Sequence, residues 1–207
     1  MNNWERKVWK KKLIKYKKSL NKKNTEKYLR WHKFFLNNFA ELKGKVLDIG
    51  CGCFPYYFKD WIKENKLNYF ACDPNNLDEK YIKNFPFKKC MGEKLDYKDE
   101  YFDNILILSV LDHTLNPEKV LKESQRVLKS DGNLWMSQTI KPIEKIIFDF
   151  CKILHIDIKK NHTFYFSKKS LKKMIKNAGL KIVRLETGHK PYVAYIKTKK
   201  IGENKNV

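Results

Sequence analysis

The chain has 207 residues, with 45 Lys+Arg against 23 Asp+Glu and a formal net charge of +22. This length suits one domain with a short extension, and 42% hydrophobic with 14% aromatic residues excludes wholesale disorder despite the charge. No run of about 18 uncharged apolar residues occurs, and the Lys- and Trp-rich N-terminus lacks the apolar core of a secretory signal, so the sequence predicts a cytoplasmic protein with no membrane span.

Residues 4–20 read as a helix, with Trp9, Leu13, Tyr16 and Leu20 recurring at helical spacing between lysines. A second helix runs from about Glu26 to Glu41, capped by Asn24 or Thr25. Residues 1–43 are therefore expected to form a basic helical cap.

From residue 44 the period changes. Lys45 to Gly50 is a short apolar run closed by glycine, the pattern of a buried strand. A helix is predicted over 56–66, a second strand over Leu67–Asp73 and a short third over Phe85–Cys90. Phe102–Ser109 is apolar enough for the centre of a sheet. Asn116 and Pro117 supply the cap and first position of a helix reaching about Leu128. A turn at 130–133 precedes strand Leu134–Gln138. Residues 139–168 break the rhythm and read as a substrate-side insertion or lid, with a helix over Ile140–Leu154. Ser170–Ala178 is a helix closed by Gly179. Leu180–Glu186 and Pro191–Lys197 form a final antiparallel pair, and 198–207 a basic tail.

Strands alternating with helices give an α/β fold, a doubly wound and mostly parallel sheet with helices on both faces. Such sheets bind ligands at the carboxyl ends of their strands.

The charge is uneven. Residues 1–45 carry +12, residues 46–144 carry −2 and residues 145–207 carry +12. Only four of the basic residues are arginine and only four residues are alanine, which points to codon bias as a source of lysine. The five cysteines are an odd number in a chain without a secretory signal, so free thiols are expected. The one-residue spacer of Cys51 and Cys53 is too short for a zinc knuckle, and no metal is expected.

The chemistry gathers after the first two strands. Asp48 stands near the end of strand one, and Gly50 and Gly52 follow in the turn, where glycine lets the backbone approach a ligand. Asp73 ends strand two, where a carboxylate can accept from ribose hydroxyls. The dinucleotide pattern G-x-G-x-x-G/A is not met, because its sixth position is Pro55.

With these residues the chain resembles the class I S-adenosylmethionine-dependent methyltransferases, in particular the small-molecule enzymes similar to the ubiquinone and menaquinone group. Val46–Gly52 resembles their first motif and Asp73 the acid of their second. Gly92 to Tyr97 with Tyr101-Phe102-Asp103 resembles the adenine loop, and Ser109 to His113 with Asn116-Pro117 the segment after strand four. Arg126 to Lys129 and Ser167 to Leu180 resemble the later helices and turns, so the likeness spans roughly residues 44–197. It implies a seven-stranded Rossmann-like sheet with an antiparallel last strand. It also implies S-adenosylmethionine as cofactor. Asp48 would face the methionine amino group, Gly50 and Gly52 would pass beneath the methionine part, and Asp73 would grip the ribose. Pro74 would flank adenine, Gly92 and Glu93 would border its edge, and Ser109 would lie beside the methionine. Phe54 replaces the family's third glycine, and Met91 stands where an acid commonly reads adenine.

For the transfer itself the candidates are His113, Asp112 and His162. His113 follows strand four and has the titration range of a general base, with Asp112 to orient it or bind substrate. His113 can equally be a helix-entry residue bonded to backbone, and His162 a solvent-facing loop residue. A small-molecule, glycan or lipid-linked acceptor is the first reading. RNA methylation through the Lys-rich ends is the alternative, against which stand the scarcity of Arg and the absence of an RNA-binding module. A non-catalytic protein held at an anionic membrane by residues 4–20 is the third. The sequence does not fix the oligomeric state.

Overall fold

The computed structural model describes residues 41–52, 54–77, 79–140, 164–187 and 193–201. The expected helices over 4–20 and 26–41, most of the 139–168 insertion and residues 202–207 of the expected tail lie outside these residues; the first residues of that tail, 198–200, instead continue the last strand, where Thr198 is fully buried against its neighbours. Contacts divide the chain after Glu41, and all elements below belong to the unit Leu42–Val207.

The first part of this unit runs β1 (Lys45–Ile49), α1 (Phe54–Glu64), β2 (Asn68–Cys72), α2 (Glu79–Ile82) and β3 (Phe87–Lys88). It continues with β4 (Phe102–Leu108), a single 3-10 turn at Leu111–His113, α3 (Pro117–Val127) and β5 (Leu128–Thr139). After the undescribed segment come α4 (Lys168–Asn177), β6 (Leu180–Thr187) and β7 (Val193–Lys200).

One seven-stranded sheet results, in the order β3-β2-β1-β4-β5-β7-β6. Six strands share one direction and β7 runs against β5 and β6. The expected doubly wound α/β sheet with its antiparallel last strand is therefore present. β1 pairs with β2 on one side and β4 on the other, so the strand order reverses there and a crevice opens at the carboxyl ends.

The central strands are apolar on both faces because helices cover both. Leu47, Ile49, Phe102, Ile105, Ile107, Leu134 and Met136 are fully buried. Val120, Leu121 and Val127 of α3 and Leu171 and Ile175 of α4 join the same core. Each such side chain stabilises the fold by roughly 1.5–3 kcal/mol of transfer free energy.

The helix ends follow the predicted signals. Asn116 caps α3 by accepting from the Lys119 amide at 2.9 Å, with Pro117 at the first helical position. α4 begins two residues earlier than the sequence pattern suggested, because Ser167 and Ser170 form a reciprocal capping box. β5 is longer than expected. While β4 advances from Phe102 to Asn104, its partner advances from Leu128 to Asn133. The predicted turn at 130–133 is thus a bulge within one strand. Among the described residues no helix is long and apolar enough to cross a membrane.

Candidate active site

The site begins where β1 meets its glycine turn. Asp48 is only 1% exposed, in the middle of the sheet between Ala71 of β2 and Leu106 of β4. The Tyr69 hydroxyl donates to its Oδ2 at 2.5 Å. Burial pushes the Asp48 carboxyl up to about 7; the Tyr69 bond opposes this and the nearby Asp73 adds to it.

The turn is fixed from β2. The amides of Gly50 and Cys51 both donate to the Cys72 carbonyl, at 2.8 and 3.1 Å. Gly50 has φ +70°, and a Cβ there would lie 2.7 Å from Val110. Gly52 has φ +50°, and a Cβ there would meet no atom within 4 Å. Gly50 is thus required by a close approach, whereas Gly52 leaves open space beside the turn.

Asp73 lies one residue past β2 and is 6% exposed. Its Oδ1 accepts from the Asn75 amide at 2.9 Å and the Asn75 side chain at 2.8 Å, and its Oδ2 from the Gly52 amide at 3.1 Å. Burial raises its pKa, and the Asn75 and Gly52 bonds offset part of the rise. Oδ2 retains a lone pair for one further donor. The bond to Gly52 also ties the two acid-bearing turns together. Pro74 follows, half-buried.

Three of the five cysteines border this region. Cys51 and Cys72 are buried free thiols and Cys90 is partly buried. The Cys72–Cys90 hydrogen bond raises the Cys72 pKa and lowers that of Cys90. Cys53 and Cys151 lie outside the described residues. Among the described residues no group of three His, Cys, Asp or Glu side chains is arranged to hold a metal ion.

The loop after β3 carries Gly92 and Glu93. A Cβ at Gly92 would press on Ile49 at 3.0 Å and Val120 at 3.1 Å. Glu93 is buried, and its Oε1 accepts from the amides of Leu115 and Asn116 at 2.8 and 3.2 Å. Glu93 therefore joins this loop to the start of α3. Arg126 of α3 secures the same loop further along. Its guanidinium donates to the carbonyls of Leu95 and Tyr97, both at 2.9 Å, and pairs with Glu123 and Asp99. Those two acids hold the Arg126 pKa above its ordinary value.

After β4 the chain turns sharply. Ser109 has φ +57°, rare for a residue with a side chain, and is solvent-exposed. Its amide donates to the Ser137 carbonyl at 2.8 Å, and the two hydroxyls lie 3.4 Å apart. The 3-10 turn then places Asp112 and His113 side by side, with His113 Nε2 3.7 Å from Asp112 Oδ2. The returning chain meets this turn, because the Phe164 amide donates to the Asp112 carbonyl at 3.3 Å. His162 lies outside the described residues, two positions before that contact.

The structure thus bonds Gly52 directly to Asp73, hangs Gly50 from the Cys72 carbonyl beside them, sets Asp48 on β1 just before the same turn, and places Asp112 next to His113. Sequence reasoning missed Tyr69, Asn75 and Glu123, and it identified Arg126 only as part of a helix motif. Only Asn75 had a local signal, as a polar residue two positions after an acid in a turn. The others act across the fold.

A family profile described as a methyltransferase domain matches residues 20–185. The chain belongs to this family. It is a class I S-adenosylmethionine-dependent methyltransferase, and S-adenosylmethionine is its cofactor. Among solved structures, a protein of Pyrococcus horikoshii is 18% identical, with a TM-score of 0.67, over 87% of this chain and 93% of the other. The 1,6-didemethyltoxoflavin-N1-methyltransferase of Burkholderia thailandensis, solved with its substrate and S-adenosylhomocysteine, is 16% identical with a TM-score of 0.64. That likeness covers 84% of this chain and 78% of the other. Both show the fold. A tRNA U34 carboxymethyltransferase of Nautilia profundicola is 29% identical over 122 residues, 55% of this chain and 40% of its own length. An uncharacterised protein of Methanocaldococcus jannaschii is 49% identical over 43 residues, 21% of each chain. The chain spans less than half the length of the curated relatives it matches.

The residues of this methyltransferase fit its cofactor. Asp48 is a buried carboxylate whose ionised form lacks solvent, so a cation completes it, and the methionine part carries an ammonium. The open space at Gly52 adjoins it through the turn, and Asp73 keeps acceptor capacity for a hydroxyl.

Proposed function

We propose that the enzyme methylates a small-molecule, glycan or lipid-linked acceptor held over the carboxyl ends of β4 and β5. The observation that carries this reading is the Asp112–His113 pair just beyond the strained Ser109. A titratable base lies there beside an acid that can orient it.

On the cofactor side, Asp48 accepts from the methionine ammonium, directly or through water, and Gly50 and Gly52 line its path. Asp73 takes a ribose hydroxyl, Pro74 flanks adenine, and Gly92 and Glu93 border its edge. Glu93 does so by holding the loop through Leu115 and Asn116. Ser109 lies beside the methionine part. When bound, S-adenosylmethionine supplies an electrophilic methyl carbon on a sulfonium, open to in-line displacement. His113 removes the proton from the acceptor's hydroxyl or amine, and Asp112 offsets the charge the imidazole gains. Alignment and exclusion of water supply the rest of the catalysis. His162 is a second candidate base, two residues before the Phe164 contact.

A second reading, RNA methylation, is favoured by the likeness to the tRNA-modifying relative and by the Lys-rich ends. Methyl-labelled cofactor incubated with a small-molecule and lipid extract, and separately with extracted RNA, separates the two. Label in the extract alone is expected; label in RNA alone sinks the first reading. Titration with S-adenosylhomocysteine tests the cofactor side, and Asp73→Ala should abolish its binding. Peripheral contact of residues 4–20 with an anionic membrane suits a lipid-linked acceptor. Liposome flotation with and without residues 1–20 tests that contact.

A further inference from the structure

Tyr69 enters the site from outside the glycine turn and the acid of strand two. It sits on β2 opposite Val46, so it shares a sheet face with Asp48, two residues further along β1. Its side chain runs along the strand direction and its hydroxyl meets Asp48 Oδ2 at 2.5 Å, within the range of a charge-assisted O–H···O⁻ bond. The ring is held in that course. Tyr69 is buried, and Phe85 packs edge-on against it with centroids 5.1 Å apart and planes at 66°.

We propose that Tyr69 is a positioning residue for cofactor binding, holding Asp48 ionised and turned so that its Oδ1 faces the cofactor's ammonium. This rests on the reading of Asp48 under Proposed function. A buried carboxylate faces two hazards: protonation, which removes its attraction for a cation, and rotation, which misdirects it. One donor on Oδ2 opposes both. It favours the charged form and fixes the plane of the carboxylate, leaving Oδ1 for the ligand. Asp73, in the loop after β2, works the other way, since its negative charge favours protonation of Asp48. Leu106, the β4 partner of Asp48, is uncharged. Burial raises the pH below which the cofactor binds weakly, Tyr69 lowers it and Asp73 adds to the rise.

The test is calorimetric titration of S-adenosylhomocysteine from about pH 5.5 to about pH 8, on either side of the midpoint assigned to Asp48. Tyr69→Phe keeps the ring and its Phe85 contact and removes only the donor. It is expected to weaken binding about tenfold near neutral pH and to move the midpoint of the pH dependence upward. Turnover at saturating cofactor should stay within about twofold of the wild type, because the loss is in ground-state binding. Fluorotyrosine at position 69, a stronger donor of the same shape, should move the midpoint downward, and it serves where Tyr69→Phe folds poorly. In the Asp48→Asn background the Tyr69→Phe change should cost little further affinity.

An equal loss from Tyr69→Phe in the wild-type and Asp48→Asn backgrounds, or a midpoint that neither substitution at position 69 moves, overturns the proposal. Should Asp48→Asn itself bind S-adenosylhomocysteine like the wild type at every pH, the assignment of Asp48 to the ammonium fails instead. That result is recognisable without any variant of Tyr69.

Discussion

Where β1 and β2 form one edge of the crevice, the polar groups are buried and hydrogen-bonded within the fold. Asp48 holds Tyr69, Asp73 holds Gly52 and Asn75, and the glycine turn hangs from the Cys72 carbonyl. Both long-range bonds span 21 residues of chain, one βαβ unit. At the β4–β5 edge the groups are looser. Ser109 is exposed and left-handed, its hydroxyl is 3.4 Å from Ser137, and His113 stands 3.7 Å from Asp112. The described chain resumes beside that edge at Phe164, whose amide donates to the Asp112 carbonyl. The difference suits the chemistry. A fixed cofactor asks for a prebuilt, low-dielectric socket, while a variable acceptor asks for a surface that other segments can complete.

Breaking the first edge should cost most. Asp73→Ala removes the proposed ribose acceptor and frees Gly52 and Asn75 together, so S-adenosylhomocysteine affinity should fall about 100-fold or more in calorimetry. An affinity within about threefold of wild type would mean that the socket does not depend on this acid. His113→Ala probes the second edge: methyl transfer should slow about 100-fold while cofactor affinity holds. Wild-type turnover in both His113→Ala and His162→Ala, with normal folding, removes the histidine base.

Gly50→Ala tests how tightly the first edge is built. Its Cβ would lie 2.7 Å from Val110 in a left-handed conformation, and a stability loss of about 2–4 kcal/mol in urea unfolding is expected. Protons separate the socket's stability from its affinity. The Asp48 carboxyl, at about 7 in the fold against an ordinary 3.8, keeps its proton over a range where the unfolded chain releases it. Its contribution to folding is therefore present below about pH 4 and is lost as pH rises through about 7. Ligand-free wild type should lose melting temperature relative to Asp48→Asn over that window. Affinity for S-adenosylhomocysteine should move the opposite way, falling as pH drops through about 7. Parallel trends would deny that Asp48 receives the cation. The smallest effect is at the second edge, where Ser109→Gly relieves a left-handed serine and should raise stability by about 1 kcal/mol.

Much of this was legible in the chain. The apolar runs at 45–50 and 102–109 became the central strands, and Asn116 and Pro117 start α3 as their types predict. Asp48, Gly50, Gly52 and Asp73 could be found because a strand, its turn and the next strand are consecutive, so their spacing survives in the sequence. Tyr69 could not be singled out. A tyrosine in a strand ordinarily packs a core, and nothing local says that its hydroxyl will reach a carboxylate on the neighbouring strand. Arg126 read as part of a helix motif, and its grip on the Leu95 and Tyr97 carbonyls depends on how α3 lies against that loop. The bulge at 130–133 read as a turn because Asp-Gly-Asn has turn chemistry wherever it falls.

The net charge of +22 also resolves into parts. The segment 46–144, with its −2 balance, carries both acids of the socket and the Asp112–His113 pair. By itself the sequence determined the order of strands and helices, the two acid-bearing turns and the family. These follow from local periodicity and from short spacings that backbone geometry fixes. The tertiary structure alone decided which acids are buried, which donors they accept and which way their pKa values move. Desolvation and hydrogen bonding depend on neighbours in space: at Asp48 burial decides the direction, and a tyrosine on the adjoining strand opposes it.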